Sequence, residues 1–431
     1  MPPSLPAASG ASSKWCAGAE LGAQSDPRRE LLLNLLQAAL GCVDGRRCVR
    51  EALTGGGAGE ALESQRPVWL AAVGKAAPAM ALGAYDALGR RIAQALVITR
   101  EGHTPPELLR APGAEVVVSS HPVPDERSLA AGARLLQWVE ALPREAQPLF
   151  LVSGGASSLV EVLKPPTTLA DLESFTAREL AAGTAIGELN AKRSALSRIK
   201  GGRLTARLAG RAARALYVSD VPGDDPNVIG SGVLGTASEG EDRVERTVVA
   251  SVERAIEGAA AAARARGLSV HAPGRRFDGD ALRLAARFAH ELRLSPAQVC
   301  VWGGESTVQL PANPGRGGRN QHLALAAAKL IAGNADLMLL AAGTDGTDGV
   351  TEDAGALVDA ESCARVAVDG LDVDECLARA DSGTALAASG DLVHLGPTGT
   401  NVGDLVIGLK LPPETAGGAP GPHGGPRARV L

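Results

Sequence analysis

A glycine and a lysine closing an apolar run, a glycine turn crowded with hydroxyls, aspartates beyond a third run and an arginine opening a helix are parts from which a phosphate-handling site can be built. In Ala71-Ala72-Val73-Gly74-Lys75-Ala76-Ala77 the Lys75 ammonium would meet an anion at the first turn of a helix, where backbone N–H groups and the helix dipole already favour negative charge. The same residues also read as an ordinary helix start with a solvated lysine, and the GxxxxGK[ST] spacing of a Walker A loop is absent. Ser153-Gly154-Gly155-Ala156-Ser157-Ser158 follows the run Leu149–Val152 and has the composition of an anion nest, in which glycines admit a close backbone approach and hydroxyls reach further oxygens. Its plain alternative is a tight turn with a serine helix cap.

Further along, Asn190, Arg193 and Lys200-Gly201-Gly202-Arg203 precede Ser219-Asp220-Val221-Pro222-Gly223-Asp224-Asp225-Pro226. Asp220 stands at a strand end, where a carboxylate can bind a metal or accept a hydroxyl proton, whereas Asp224 and Asp225 fit turn roles equally well. Gly303-Gly304-Glu305-Ser306-Thr307 reads as a loop after an apolar run, and Gly315-Arg316-Gly317-Gly318-Arg319-Asn320-Gln321 opens an amphipathic helix. A cation at that helix start opposes the dipole unless an anion lies in front of it, which singles out Arg319. Gly343-Thr344-Asp345-Gly346-Thr347-Asp348-Gly349 reads either as a Mg²⁺ site or as successive Asx-turns, and Gly396-Pro397-Thr398-Gly399-Thr400-Asn401 as a phosphate loop or a hairpin turn. His121-Pro122-Val123-Pro124-Asp125 reads as a stiff connector, with Asp125 capping the next helix.

Composition narrows the classes. The chain has 431 residues, 45% of them hydrophobic, so two α/β domains are the natural expectation. Aromatics at 2% and a net charge of −5 leave neither stacking platforms nor a basic field for nucleic acid. Cys16, Cys42, Cys48, Cys300, Cys363 and Cys376 form no CxxC or metal-ligand spacing, consistent with a reducing compartment. The start of the chain lacks the apolar core of a secretory signal and the arginines of a mitochondrial presequence, and no apolar stretch is long enough to span a bilayer. The expectation is a cytoplasmic protein that engages neither membrane nor nucleic acid.

The elements that must position these loops alternate between apolar runs and helical periods. Runs are expected at Val68–Val73, Ala95–Ile98, Glu115–Val118, Leu149–Val152 and Ala215–Ser219, with helices near Arg28–Cys42, Ala76–Leu88 and Asp125–Leu142 and others through about Leu208. That βα alternation predicts a parallel sheet. A long Ala-rich helix is expected over Val244–Arg266, then runs at Gln298–Trp302, Thr307–Leu310, Asp336–Ala341 and Leu392–His394. The domains are placed at 27–280 and 290–411, between a low-order extension at 1–26 and a Pro/Gly-rich tail at 412–431.

The ordered blocks VGKAAPAM, HPVPDE, SGGASSL, IKGGRL, SDVPGDDP, GGES-TV, GRGGRNQ, GTDGTDG, DAGA and GPTGTNVGDL, from about residue 68 to 406, resemble the signatures of two-domain glycerate kinases that carry a MOFRL region. The chain departs from that pattern at Ala195, where the family has His, at Val233 for Pro and at His322 for Glu. The resemblance implies a Rossmann-like N-terminal domain, a smaller α/β C-terminal domain, an active site between them, and phosphorylation of D-glycerate by Mg²⁺-ATP, 2-phosphoglycerate being the expected product. It leaves room for a homodimer. The family's essential lysine and arginine fall on Lys75 and Arg319, which would stabilise charge on the transferring phosphoryl group while Asp220 orients the hydroxyl or Mg²⁺. Asp345 and Asp348 are the further metal candidates. The substrate and phosphate set is expected to be Ser153, Gly154, Gly155, Ser157, Ser158, Asn190, Arg193, Lys200, Gly304, Glu305, Asn320, Thr398 and Asn401. The alternatives are an NAD(P)H-dependent hydroxypyruvate reductase, disfavoured because no GxGxxG directly follows an apolar run, and a non-catalytic hydroxy-acid-binding protein.

Overall fold

A computed structural model describes residues 26–55, 66–181 and 186–412. Apart from Asp26 and Pro412, the low-order ends expected at 1–26 and 412–431 lie outside the described residues. The first sheet has six parallel strands: β1 Val68–Val73, β2 Ile92–Arg100, β3 Ala114–Ser119, β4 Gln147–Ser153, β5 Ala213–Val218 and β6 Val244–Ala250. β1, β4 and β5 are buried almost throughout, as strands covered on both faces must be, which is why they read as unbroken apolar runs. Their spatial order, β3-β2-β1-β4-β5-β6, is that of a Rossmann sheet, whose connections reverse direction between β1 and β4. Ligands of such sheets sit at the carboxyl ends of the strands flanking that reversal.

The second sheet is mixed. Its strands are β7 Val270–His271, β8 Phe277–Asp280, β9 Val299–Thr307, β10 Leu337–Gly343, β11 Gly355–Asp359, β12 Leu392–Val393 and β13 Asp404–Lys410. β13 lies between β9 and β10, antiparallel to both, and β7 and β8 each run parallel to β9.

Two expectations are corrected here. The helix expected over Val244–Arg266 is β6 followed by a shorter helix, Val252–Arg264, because the β-branched stretch in Val244–Ala250 pairs with β5 before the alanines begin. Gly303–Thr307 is not a loop but the second half of β9, and Thr307–Leu310 forms no strand of its own. The glycines explain this: a Cβ on Gly304 would stand 2.0 Å from the Phe277 carbonyl oxygen, so glycine lets β8 lie flush against β9.

The two sheets share a core. Asp26 caps the helix Pro27–Cys42 by accepting from Arg28 N at 2.9 Å, and its buried Leu32, Leu35, Leu36 and Ala39 follow the spacing of one helical face. That face joins a continuous apolar cluster with Ala255 and Ala259 of the helix Val252–Arg264, Leu70 and Leu149 of the first sheet, and Val301 and Leu405 of the second. The carboxyl ends of β1, β4 and β5 are thereby held against loops of the second sheet.

Candidate active site

Lys75 is positioned by two strand ends at once. Gly74 carries a φ of 135°, and a Cβ there would lie 2.1 Å from Ser153 Oγ, so glycine is what allows the turn after β1 to press on the end of β4. Lys75 N then donates to the Gly154 carbonyl at 2.9 Å, and Ala76 N to Ser153 Oγ at 3.0 Å. The helix Ala77–Leu88 starts immediately, with Pro78 in its first turn where a missing N–H costs nothing. The ammonium so placed reaches Asp345, just past the end of β10, at 2.7 Å. Burial opposes ionisation of Asp345, but Lys75 and the Thr347 amide outweigh it and hold its carboxyl below the usual range.

Gly154 is the point where three loops meet. A Cβ there would stand 2.0 Å from both Asp220 Oδ2 and Asn401 Nδ2, and Asn401 Nδ2 lies 3.3 Å from Asp220 Oδ2. Asp220 follows β5, and Arg276 fixes its backbone by donating to the Asp220 and Val221 carbonyls, each at 2.7 Å. Burial, with the Glu305 carboxylate nearby, pushes the Asp220 carboxyl up to about 6, against the counteracting charge of Lys75.

The facing wall comes from the second sheet. Arg319 opens the helix Arg319–Ile331 and pairs with Glu305 at 2.5 Å and with the buried Asp404, the first residue of β13, at 2.8 Å. Asn320 Nδ2 also donates to Asp404, at 3.0 Å. These acidic partners resolve the electrostatic conflict of a cation at a helix start. Asn401, which contacts Asp220, and Asp404, which holds Arg319, stand three residues apart, so one segment of the second sheet ties the Lys75 side of the site to the Arg319 side.

Lys75, Asp220, Gly154, Gly155, Glu305, Arg319, Asn320, Asp345 and Asn401 are thus brought together. Most of the other expected site residues are engaged in contacts within the protein. Lys200 is buried, with its ammonium 2.5 Å from Glu161 and 2.7 Å from the Ser157 carbonyl, so it braces the Ser157 turn from beneath. Ser153 is spent on Ala76 N, Ser158 Oγ on the Gly155 carbonyl, Thr398 Oγ1 on the Thr344 carbonyl, and Ser157 Oγ lies 2.7 Å from Ser231 Oγ. Asp348 spends both carboxylate oxygens capping the helix Arg319–Ile331, accepting from Asn320 N at 3.1 Å and Gln321 N at 2.8 Å. Burial pushes its carboxyl up to about 7. Asn190 and Arg193 lie on the helix Ile186–Ala195, and Arg193 Nε is buried without a hydrogen-bond partner. Gly304 serves the β8–β9 contact.

Sequence reasoning missed Asp404, Arg276 and His103, whose Nδ1 lies 3.2 Å from the Lys75 carbonyl oxygen. Asp404 left a signal, a carboxylate opening an otherwise apolar strand; Arg276 and His103 act on backbone carbonyls distant in sequence and left none. Among the described residues no three His, Cys, Asp or Glu side chains converge as a protein-only metal site, and no helix is long and apolar enough to cross a membrane.

Comparison with known proteins agrees with this architecture. Residues 31–259 match the model of a domain of unknown function, DUF4147, and residues 298–404 that of the MOFRL family. The chain is 34% identical over 420 residues to the D-glycerate 2-kinase of Thermotoga maritima, covering 88% of this chain and 98% of that protein. The crystal structure of a Thermotoga maritima glycerate kinase superposes with a TM-score of 0.78 at 32% identity, over 89% of this chain and all of that one. A protein of Agrobacterium vitis with a provisional hydroxypyruvate reductase name is 37% identical over 375 residues, 77% of this chain and 84% of its own. The match to both family models, with near-complete coverage of the Thermotoga kinase, makes this chain a member of the two-domain, MOFRL-containing glycerate kinase family, and an enzyme of the kinase class.

Proposed function

We propose that this enzyme transfers the γ-phosphoryl group of ATP to the 2-hydroxyl of D-glycerate, giving 2-phosphoglycerate and ADP. The observation that carries the reading is the meeting of Lys75, at the reversal point of the first sheet, with Asp220, Asn401 and Asp345 across the cleft from Arg319. Such a site supplies what phosphoryl transfer requires, positioned charge rather than covalent chemistry. Asp220 orients the substrate hydroxyl, which attacks phosphorus as the bond to the ADP oxygen breaks. Lys75 leaves Asp345 for the incoming phosphates, and Arg319, held by Asp404, neutralises charge spreading onto the equatorial oxygens. The hydroxyl proton passes to Asp220 or to solvent.

Asp220 and Asp345 are the carboxylates suited to Mg²⁺, since the strain between Asp220 and Glu305 signals a local excess of negative charge that a divalent ion would relieve. Mg²⁺ there would neutralise phosphate charge. Asp348, spent on helix amides, has no oxygen free for that purpose without breaking the cap.

Hydride transfer from a nicotinamide cofactor is the weaker reading. The turn after β1 is Gly74-Lys75-Ala76-Ala77, and the GxGxxG spacing at Gly230–Gly235 lies in irregular chain beyond β5 rather than between a strand and a helix. Incubating the purified enzyme with hydroxypyruvate and NADPH, then separately with D-glycerate and Mg²⁺-ATP, tests both: the proposal expects ADP release in the second assay and no NADPH oxidation in the first.

A further inference from the structure

His121 lies just past the end of β3, at the edge of the first sheet, yet its imidazole reaches Gly155 in the turn after β4. A Cβ placed on Gly155 would stand 3.1 Å from His121 Cδ2, 3.2 Å from its Nε2 and 3.2 Å from Lys75 Cγ. The ring edge and the lysine stem therefore flank the same glycine. The other two histidines with depressed protonation are hydrogen-bonded, His103 Nδ1 to the Lys75 carbonyl at 3.2 Å and His322 Nδ1 to Ser382 Oγ at 2.9 Å. Neither ring nitrogen of His121 has a hydrogen-bond partner among the described residues. The imidazole therefore has both nitrogens open to a ligand that enters beside the Lys75 stem.

Its chemistry narrows the ligand. Burial, together with the charges of Lys75 and Arg100, drives the imidazolium down to about 3 despite Asp345, so the ring of the ligand-free protein is neutral at neutral pH. A neutral imidazole presents one N–H and one lone pair, the complement of an alcohol, which both donates and accepts. It adds no charge to compete for phosphate or carboxylate, and is too weak a base to strip the attacking hydroxyl. Resting on the glycerate kinase reading, we propose that His121 binds the hydroxyl of glycerate that is not phosphorylated, and so sets the preference for a dihydroxy-acid over a monohydroxy-acid.

The test compares D-glycerate with D-lactate, which keeps the 2-hydroxyl and lacks the 3-hydroxyl, in the wild type, His121→Phe and His121→Gln. A site built around a hydroxyl rejects the analogue lacking it, so the wild type should favour D-glycerate by at least about 10²-fold in kcat/KM. His121→Phe, which keeps a ring of similar size, should lower kcat/KM for D-glycerate by about that factor and for D-lactate by no more than about 3-fold, collapsing the preference. His121→Gln, whose amide extends towards the Nε2 position, should recover part of it. Where D-lactate turns over too slowly, its competitive inhibition constant replaces kcat/KM. An equal loss on both substrates in His121→Phe overturns the assignment while leaving the kinase reading intact. No phosphorylation of D-glycerate by the wild type overturns both.

Discussion

Lys75 and Arg319 are each already paired, with Asp345 and Asp404 respectively, so their proposed roles rest on charge that is waiting for phosphate rather than free. If both act mainly on charge that develops in the transition state, Lys75→Ala and Arg319→Ala should stay folded and lose turnover by on the order of 10²–10³-fold, with a much smaller change in KM. Arg319→Lys should recover little, because a compact ammonium cannot reproduce the guanidinium's simultaneous contacts to Glu305, Asp404 and a phosphoryl group. Steady-state kinetics on the three variants checks this, and near-wild-type turnover in Lys75→Ala would remove the main catalytic assignment. Asp220 gives a pH signature. With its carboxyl raised to about 6 from an ordinary 3.8, it carries a proton below that value, so kcat/KM should fall as pH drops through about 6. The stability effect has the opposite sense. A raised carboxyl stabilises the fold at acid pH and loses that contribution as pH rises through about 6. Asp220→Asn should therefore be nearly inactive, yet above pH 6 be more stable than the wild type by about 3 kcal/mol, with no difference near pH 3. At this scale the sequence was informative where a side chain sits beside its own turn, as Lys75 does. It was silent where the partner is remote: nothing near Lys200 announces Glu161, and nothing near Asp348 announces the amides of the helix Arg319–Ile331.

The strands were legible because parallel strands covered on both faces are continuous apolar runs, as at Val68–Val73 and Leu149–Val152. Where an element carries glycine or mixed polarity, the pattern fails: β9 runs on through Gly303-Gly304-Glu305, and β6, polar at Glu245 and Arg246, merged with the alanine helix that follows. Caps were readable, since Asp125 accepts from Arg127 N at 2.8 Å, as its place before the helix Glu126–Glu140 predicts. The turn after β4 is the element whose backbone the site tolerates least. Gly154→Ala would drive a methyl into Asp220 and Asn401, and both must move for it to fit. A displacement of about 1 Å at a reacting group can cost on the order of 10²-fold in rate, so Gly154→Ala should fold and lose turnover by about that factor. A kcat within about twofold of the wild type would mean that the Asp220–Asn401 contact does not matter to chemistry.

Across the whole molecule, the two sheets are joined by one apolar cluster through the helices Pro27–Cys42 and Val252–Arg264, and polar contacts such as Lys75–Asp345 and Asn401–Asp220 join their loops. Neither sheet carries a complete site: the Lys75 ammonium and the Arg319 guanidinium come from different sheets, with Asp220 on one side and Glu305, Asp345 and Asn401 on the other. Activity should disappear on chelation and return with added Mg²⁺, because Lys75 and Arg319 alone do not balance the phosphates together with these carboxylates; full turnover in excess chelator would refute the metal's part. The most direct measurement is phosphorus NMR of the products formed by the purified enzyme from D-glycerate and Mg²⁺-ATP. The account predicts a 2-phosphoglycerate resonance growing in step with ADP, and its loss in Lys75→Ala. A 3-phosphoglycerate resonance would contradict the assigned hydroxyl, and the absence of any new phosphomonoester while ATP stays intact would contradict the kinase reading itself.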